Sequence, residues 1–320
     1  MWSRPPPRSP IDKYSPGPMP MIQDPTPTTV FEHIDNAQLR IWDECPGGKL
    51  IAIPFDNDVR TPESHNNFCT HILTAVAEIV DANDVGVSAP IPSENTKKDN
   101  RVPISFLIYN ISNEQVAILL QCKVWSSRVT TFRVAPYATM CPAFLFTLKG
   151  YTTITVKDIF QLIKGVWDSE PTKSFISSLS ESAPADERGK ITLELENLLE
   201  SLNIARLDIK EVGNCLNPRF NVYADGSKIT YDKLWTRLRT FLIGRTYFST
   251  MEGRGIAEKA PYICTCGHGV DHPRGLCPFP GLTGRNGPGR EGNGETMQCR
   301  MGGPPFFDQR AQRQRFAPRT

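Results

Sequence analysis

Between Ile104 and Trp167 the chain switches repeatedly between the two periodicities that backbone geometry allows, two residues for a strand and 3.6 for a helix. ISFLIYNI, residues 104 to 111, is an apolar run of strand length. Ser112 and Gln115 then have the spacing of a capping box, and Val116, Leu119, Leu120 and Val124 share one face of the helix it opens, which runs to Trp125. VTTFRVA reads as a second strand and, after the proline-bracketed loop PYATMCP, AFLFTLKG as a third. Val156, Ile159, Phe160, Ile163, Val166 and Trp167 follow at helical spacings of three and four.

Strand, helix, strand, strand, helix predicts an α+β chain in which residues 104 to 180 form a ferredoxin-like split β-α-β sandwich, with KSFISSL (173 to 179) as the fourth strand. RNA-recognition domains use this sandwich, and FLIYNI resembles their first signature strand, with Tyr109 as its stacking aromatic. Upstream, KLIAIPF is a strand. Thr61 and Pro62 then open a helix carrying Phe68, Ile72, Val76, Ile79 and Val80, so 48 to 103 reads as a strand-helix extension with a connector from 81. Downstream of a Ser/Glu/Pro-rich link, residues 190 to 248 form a second α+β unit. Its first helix carries Ile191, Leu195, Leu198, Leu199 and Leu202, RLDIKEV and RFNVYAD make a hairpin, and its last helix carries Tyr231, Leu234, Trp235, Leu238, Phe241 and Leu242.

The ends differ from the body. Nine of the first thirty residues are proline, which makes 1 to 47 a disordered docking arm. Lys+Arg number 36 against 34 Asp+Glu, a net +2, yet residues 273 to 320 alone hold eight arginines, no lysine and three acids, a net +5. With nine glycines and seven prolines in that stretch, 282 to 320 reads as a disordered Arg/Gly-rich tail. No run approaches the ~20 apolar residues of a membrane helix, and MWSRPPPRSP lacks a signal-peptide core. The expectation is an intracellular protein without a membrane partner.

Chemistry concentrates in YICTCGHGVDHPRGLCPFPG, residues 262 to 281. Three of the nine cysteines and two of the five histidines lie within the fourteen residues from Cys264 to Cys277. A zinc knuckle is written Cys-x2-Cys-x4-His-x4-Cys, since two ligands on a tight turn and two within the next dozen residues can close a tetrahedron. Cys264, His272 and Cys277 occupy the first, third and fourth positions, while the second is Gly267. Cys266 lies one residue early and His268 one late; Cys266 is the preferred fourth ligand of one zinc ion, His268 the alternative. Four protein ligands leave no open position for an activated water. No Gly-rich phosphate loop, nucleophile elbow or acid-rich metal motif is present either, so the expectation is a protein that is not an enzyme and has no small-molecule substrate.

DHPRGLCPFPG resembles a recurrent carboxy-terminal motif, HPxGLCPFP preceded by cysteines, of a large group of uncharacterised basidiomycete fungal proteins; FLIYNI and FNVYADG are similar to that group as well. The layout, an RNA-recognition-like domain followed by a knuckle, is similar to the Gag-like first open-reading-frame proteins of LINE-type retrotransposons. That resemblance implies binding of single-stranded RNA or DNA, with self-association. The knuckle's Val270, Leu276 and Phe279 are then expected to meet unpaired bases together with Tyr109, while Arg274, Arg285 and Arg290 neutralise phosphates. A protein-protein scaffold with a degenerate knuckle is the alternative.

Overall fold

The computed structural model describes residues 20–55, 62–94, 96, 102–127, 130–210, 216–258 and 260–282. The expected arm's residues 1 to 19, the N-cap at Thr61, and the tail with Arg285 and Arg290 lie outside the described residues, whereas 20 to 47, expected to be disordered, are structured, with a helix at Asn36–Glu44 that buries Trp42.

After helix α1 (Asn36–Glu44), the chain enters β1 (Gly48–Pro54), α2 (Pro62–Val80), β2 (Gly86–Ser88), β3 (Phe106–Ile111), α3 (Asn113–Cys122), β4 (Val124–Ser126) and β5 (Thr131–Pro136). The five strands form a sheet in the order β2-β3-β1-β5-β4, with every neighbouring pair antiparallel. Alternation sorts their side chains. Leu50, Ala52, Phe106, Ile108, Phe132 and Val134 pack on Ile72 and Val76 of α2 and Leu119 of α3. Ile51, Ile53 and Leu107 point the other way, onto Val30, Ile34 and Trp42 from α1 and the segment before it. β1 is therefore apolar on both faces, which explains why KLIAIPF shows no polar alternation.

The capping box forms: Ser112 Oγ accepts from the Gln115 amide at 3.3 Å, and Gln115 Oε1 accepts from the Ser112 amide at 2.8 Å. The helix stops earlier than its apolar stripe. Lys123 sits at φ 54°, and Trp125 turns back so that its indole N–H donates to the Leu119 carbonyl at 2.9 Å, satisfying one of the helix's last acceptors. Val124 and Trp125, expected on the helix, thus begin β4.

The second sheet is built from β6 (Phe144–Lys149), β7 (Asn203–Lys210), β8 (Leu216–Tyr223), β9 (Tyr247–Ser249) and β10 (Gly253–Ala257), in the order β7-β8-β6-β10-β9 and again antiparallel throughout. Helices α4 (Val156–Trp167), α5 (Glu170–Glu181), α6 (Arg188–Glu200) and α7 (Asp232–Ile243) contribute to its core. This division corrects the single sandwich expected over 104 to 180. β3 and β5 belong to the first sheet with β1 as its centre, and β6 begins the second. KSFISSL is helical, because Thr172, Ile176, Leu179 and Ser180 bury one face at helical spacing behind a first-turn Pro171.

The two sheets repeat one plan. If strands are lettered a to e in chain order within each half, both read b-c-a-e-d. The registers also coincide. Leu50 pairs with Ile108 and Ala52 with Phe106 and Val134, as Phe146 pairs with Val222 and Leu148 with Phe220 and Ala257. Strand b starts opposite a tyrosine in both halves, Gly86 against Tyr109 and Asn203 against Tyr223. Phe-Leu-Ile-Tyr of β3 thus stands where Phe-Asn-Val-Tyr of β8 stands, and Trp125 where Tyr247 stands. The fold is α+β, and among the described residues no helix is long and apolar enough to cross a membrane.

Tyr109 lies flat over Gly86, where a Cβ would come within 2.2 to 2.6 Å of its ring. Gly86→Ala is expected to destabilise the protein by about 1–3 kcal/mol through overpacking. In a Tyr109→Ala background the same change costs less, so a double-mutant cycle by urea denaturation yields a non-zero coupling.

Candidate metal centre

Residues 262 to 282 run along the seam between the two halves, and backbone hydrogen bonds shape them into a ligand turn. The Cys264 amide donates to the Gly269 carbonyl at 2.7 Å and the His268 amide to the Cys264 carbonyl at 2.8 Å, with His268 at φ 60°. A short 3-10 turn, Arg274–Leu276, closed by the Cys277 amide on the Arg274 carbonyl at 3.0 Å, returns Cys277 to the first two cysteines. One ligand atom each of Cys264, His272 and Cys277 lies within 4.8 Å of the others. Cys266 is buried and lies outside that group of three, but its sulfur adjoins that of Cys264 and is the main reason the Cys264 thiol is held far below its ordinary value, with Cys277 next and His272 adding to it.

A Cβ at Gly267 would point at Phe55 and Ile22, at 3.5 and 3.6 Å, toward the first half's apolar side. His268, the alternative ligand, also looks that way, with Nε2 3.0 Å from the Pro54 carbonyl oxygen at the end of β1.

His272 is held from behind. Its Nδ1 lies 2.7 Å from Asp271 Oδ1, leaving Nε2 buried and without a hydrogen-bond partner on the side of the sulfurs. Burial alone lowers the imidazolium's pKa, but Asp271 and the sulfurs of Cys264 and Cys277 more than reverse this and raise it to about 11 in the metal-free chain. Asp271 is anchored in turn by the second sheet. The Tyr223 hydroxyl donates to Asp271 Oδ2 at 3.0 Å, the Asn221 amide donates to the Asp271 carbonyl, and Thr147 Oγ1 donates to Asn221 Oδ1 at 2.7 Å. Burial and the Asp271 charge push the Tyr223 hydroxyl's pKa well up, so it stays a donor.

The other side of the segment packs on the first half. Cys264, Cys266 and Phe279 cluster with Phe55 and Val124, and the Phe55 and Phe279 rings meet edge to face at 5.0 Å. A piece from the amino end, around Gln23 and Asp24, completes the seam. The Val270 amide donates to the Gln23 carbonyl at 3.0 Å, the Phe144 amide donates to Gln23 Oε1 at 3.2 Å, and Asp24 forms a two-bond ion pair with Arg133 of β5.

These positions revise several expected contacts. Val270 and Phe279, expected to face bases, are 3% and 1% exposed, because their apolar surface fills the seam. Tyr109 is half-buried under the α1 segment rather than presented as a platform. Arg274 and Leu276 do face solvent, with Arg274 donating to Thr265 Oγ1 at 3.2 Å. Asp271, Tyr223, Asn221 and Thr147 were not singled out by sequence. The acid immediately before His272 was the one local signal, whereas the sheet residues become neighbours only through the fold. The seven described cysteines form no disulfide with one another. In comparisons with known proteins, no family model matches the chain, and neither a curated protein nor a solved structure matches it significantly.

Phe279→Ala should lower the unfolding free energy by roughly 3–5 kcal/mol, the cost of emptying a buried aromatic site. A change below about 0.5 kcal/mol in a denaturant titration, typical of exposed positions, would return this ring to the surface.

Proposed function

We propose that the protein is a non-catalytic, metal-stapled binding protein. Two ferredoxin-like units of the RNA-recognition kind are locked into one body by a zinc ion on Cys264, Cys266, His272 and Cys277, and the chain serves single-stranded RNA or DNA in a Gag-like role. The carrying observation is the buried, unpartnered Nε2 of His272 facing two sulfurs within 4.8 Å. A buried polar nitrogen left without a partner costs about 1–3 kcal/mol, and a soft divalent cation that takes the place of its proton satisfies it while balancing the thiolates. Three sulfurs and one imidazole suit zinc, and a closed set of four acts as a staple rather than a water activator.

The segment is built into the body, so its buried Val270 and Phe279 do not grip bases. That task falls to the solvent-facing Arg274 and Leu276 and to the arginine-rich stretch from 273 to 320, whose net +5 suits a phosphate backbone. The scaffold reading draws on the same burial, because both faces of the first sheet are covered by the chain itself.

Protein produced with zinc supplementation is expected to carry one equivalent by elemental analysis. Cys266→Ser should lose most of it and His268→Ala retain it; the reverse pattern would make His268 the fourth ligand. Removing residues 283 to 320 should weaken oligonucleotide binding and flatten its dependence on salt, measured by fluorescence anisotropy. A full-length chain that ignores single strands at low salt while self-associating would favour the scaffold.

A further inference from the structure

The two halves offer an internal comparison. At matching sites, on the face of the first sheet opposite α2 and α3, stand Ile51 and Leu107, which pack in an apolar cluster with Trp42. The second sheet has Thr147 and Asn221, both buried and joined by a 2.7 Å hydrogen bond. The strand registers that match Leu50 with Phe146 and Ile108 with Val222 fix this equivalence. Two buried polar side chains replacing two buried apolar ones, in copies that otherwise keep an aromatic-and-aliphatic core, need a reason, because an unpaired polar group there would cost about 1–3 kcal/mol.

Their partners supply it. Asn221 holds the Asp271 carbonyl and is 3.1 Å from the Tyr223 hydroxyl, Tyr223 holds Asp271 Oδ2, and Asp271 Oδ1 holds His272 Nδ1. The chain of bonds ends at the one imidazole nitrogen left to face the sulfurs. Tyr109, at the position matching Tyr223, has no such task and lies over Gly86.

We propose that Thr147, Asn221, Tyr223 and Asp271 are positioning residues that orient His272 toward the metal, so that tight metal binding requires the Cys/His segment to be seated on the second sheet. This rests on the metal reading above and adds to it which half of the molecule builds the site. The physical basis is general. A ligating histidine binds best when its other nitrogen is fixed by a carboxylate that is itself hydrogen-bonded, and loss of such support costs 10–100-fold in affinity. The first half contributes packing through Phe55 and Val124 and no hydrogen bond to His272 among those in the structure.

The full-length chain tests this by chelator competition for zinc and by the absorption spectrum of its cobalt(II) form. Asp271→Asn is expected to weaken zinc binding about 10–100-fold. Asn221→Leu, which installs the residue found in the first half, and Tyr223→Phe should each weaken it about 2–10-fold, the equivalent of one hydrogen bond. The thiolate-to-cobalt bands persist in all three because the sulfurs are untouched, while the ligand-field bands shift with the imidazole. Thermal unfolding of the metal-free variants separates folding from positioning. Lower metal-free stability with unchanged zinc affinity would make these residues structural only and overturn the proposal. Wild-type affinity in Asp271→Asn would do the same while leaving the zinc reading intact. A wild-type chain that takes up neither zinc nor cobalt overturns both.

Discussion

A sheet that is apolar on two faces must be covered twice, and this requirement organises the molecule. Helices α2 and α3 cover one face of the first sheet, and α4 to α7 pack into the core of the second. The other face of the first sheet carries Ile51, Ile53 and Leu107, which water cannot be left to cover. Trp42 and its neighbours close one part, and the end of β1 at Phe55 is closed by Cys264, Cys266 and Phe279. The Cys/His turn is thereby drawn into the interior, and the consequences for its chemistry follow from that position.

The two halves share a strand plan but not the character of their surfaces. Both keep the order b-c-a-e-d and a Phe-x-aliphatic-Tyr stretch on the third strand, so the backbone frame is the same. What differs is the character of the second buried face, apolar at Leu107 and polar at Asn221. A shared frame allows one face to become a packing surface and the other a hydrogen-bonding bed without disturbing either helix layer, since alternate residues of a strand answer to opposite faces.

Much of the local structure was legible in the chain. The Ser112/Gln115 box, the stripe from Val156 to Trp167 and most strands are local patterns, and they fold as their periodicity requires. Grouping was not legible, because strand neighbours are long-range. AFLFTLKG follows VTTFRVA in sequence but lies in the other sheet, and an apolar pattern carries no mark of its partner. KSFISSL misled because its length suits a strand, while only burial of Ile176 and Leu179 on a common face reveals the helix. At the site, Cys264, His272 and Cys277 were legible by spacing alone. The burial of Val270 and Phe279 was not, since a short apolar residue in a Gly/Pro-rich loop reads the same whether it faces a ligand or a neighbouring sheet.

The seam joins segments far apart in sequence. Gln23 meets Val270 through a backbone hydrogen bond, so two segments separated by on the order of 250 residues become neighbours, a closure whose entropic cost grows only slowly with length. During synthesis from the amino terminus, each half can assemble its helices and strands while Phe55 and Val124 still lack their cover from the later-made Cys/His segment. A ribosome that stalls before residue 262 therefore releases a chain whose secondary structure is largely complete but whose central joint stays greasy and open, the kind of surface on which chaperones and proteases act.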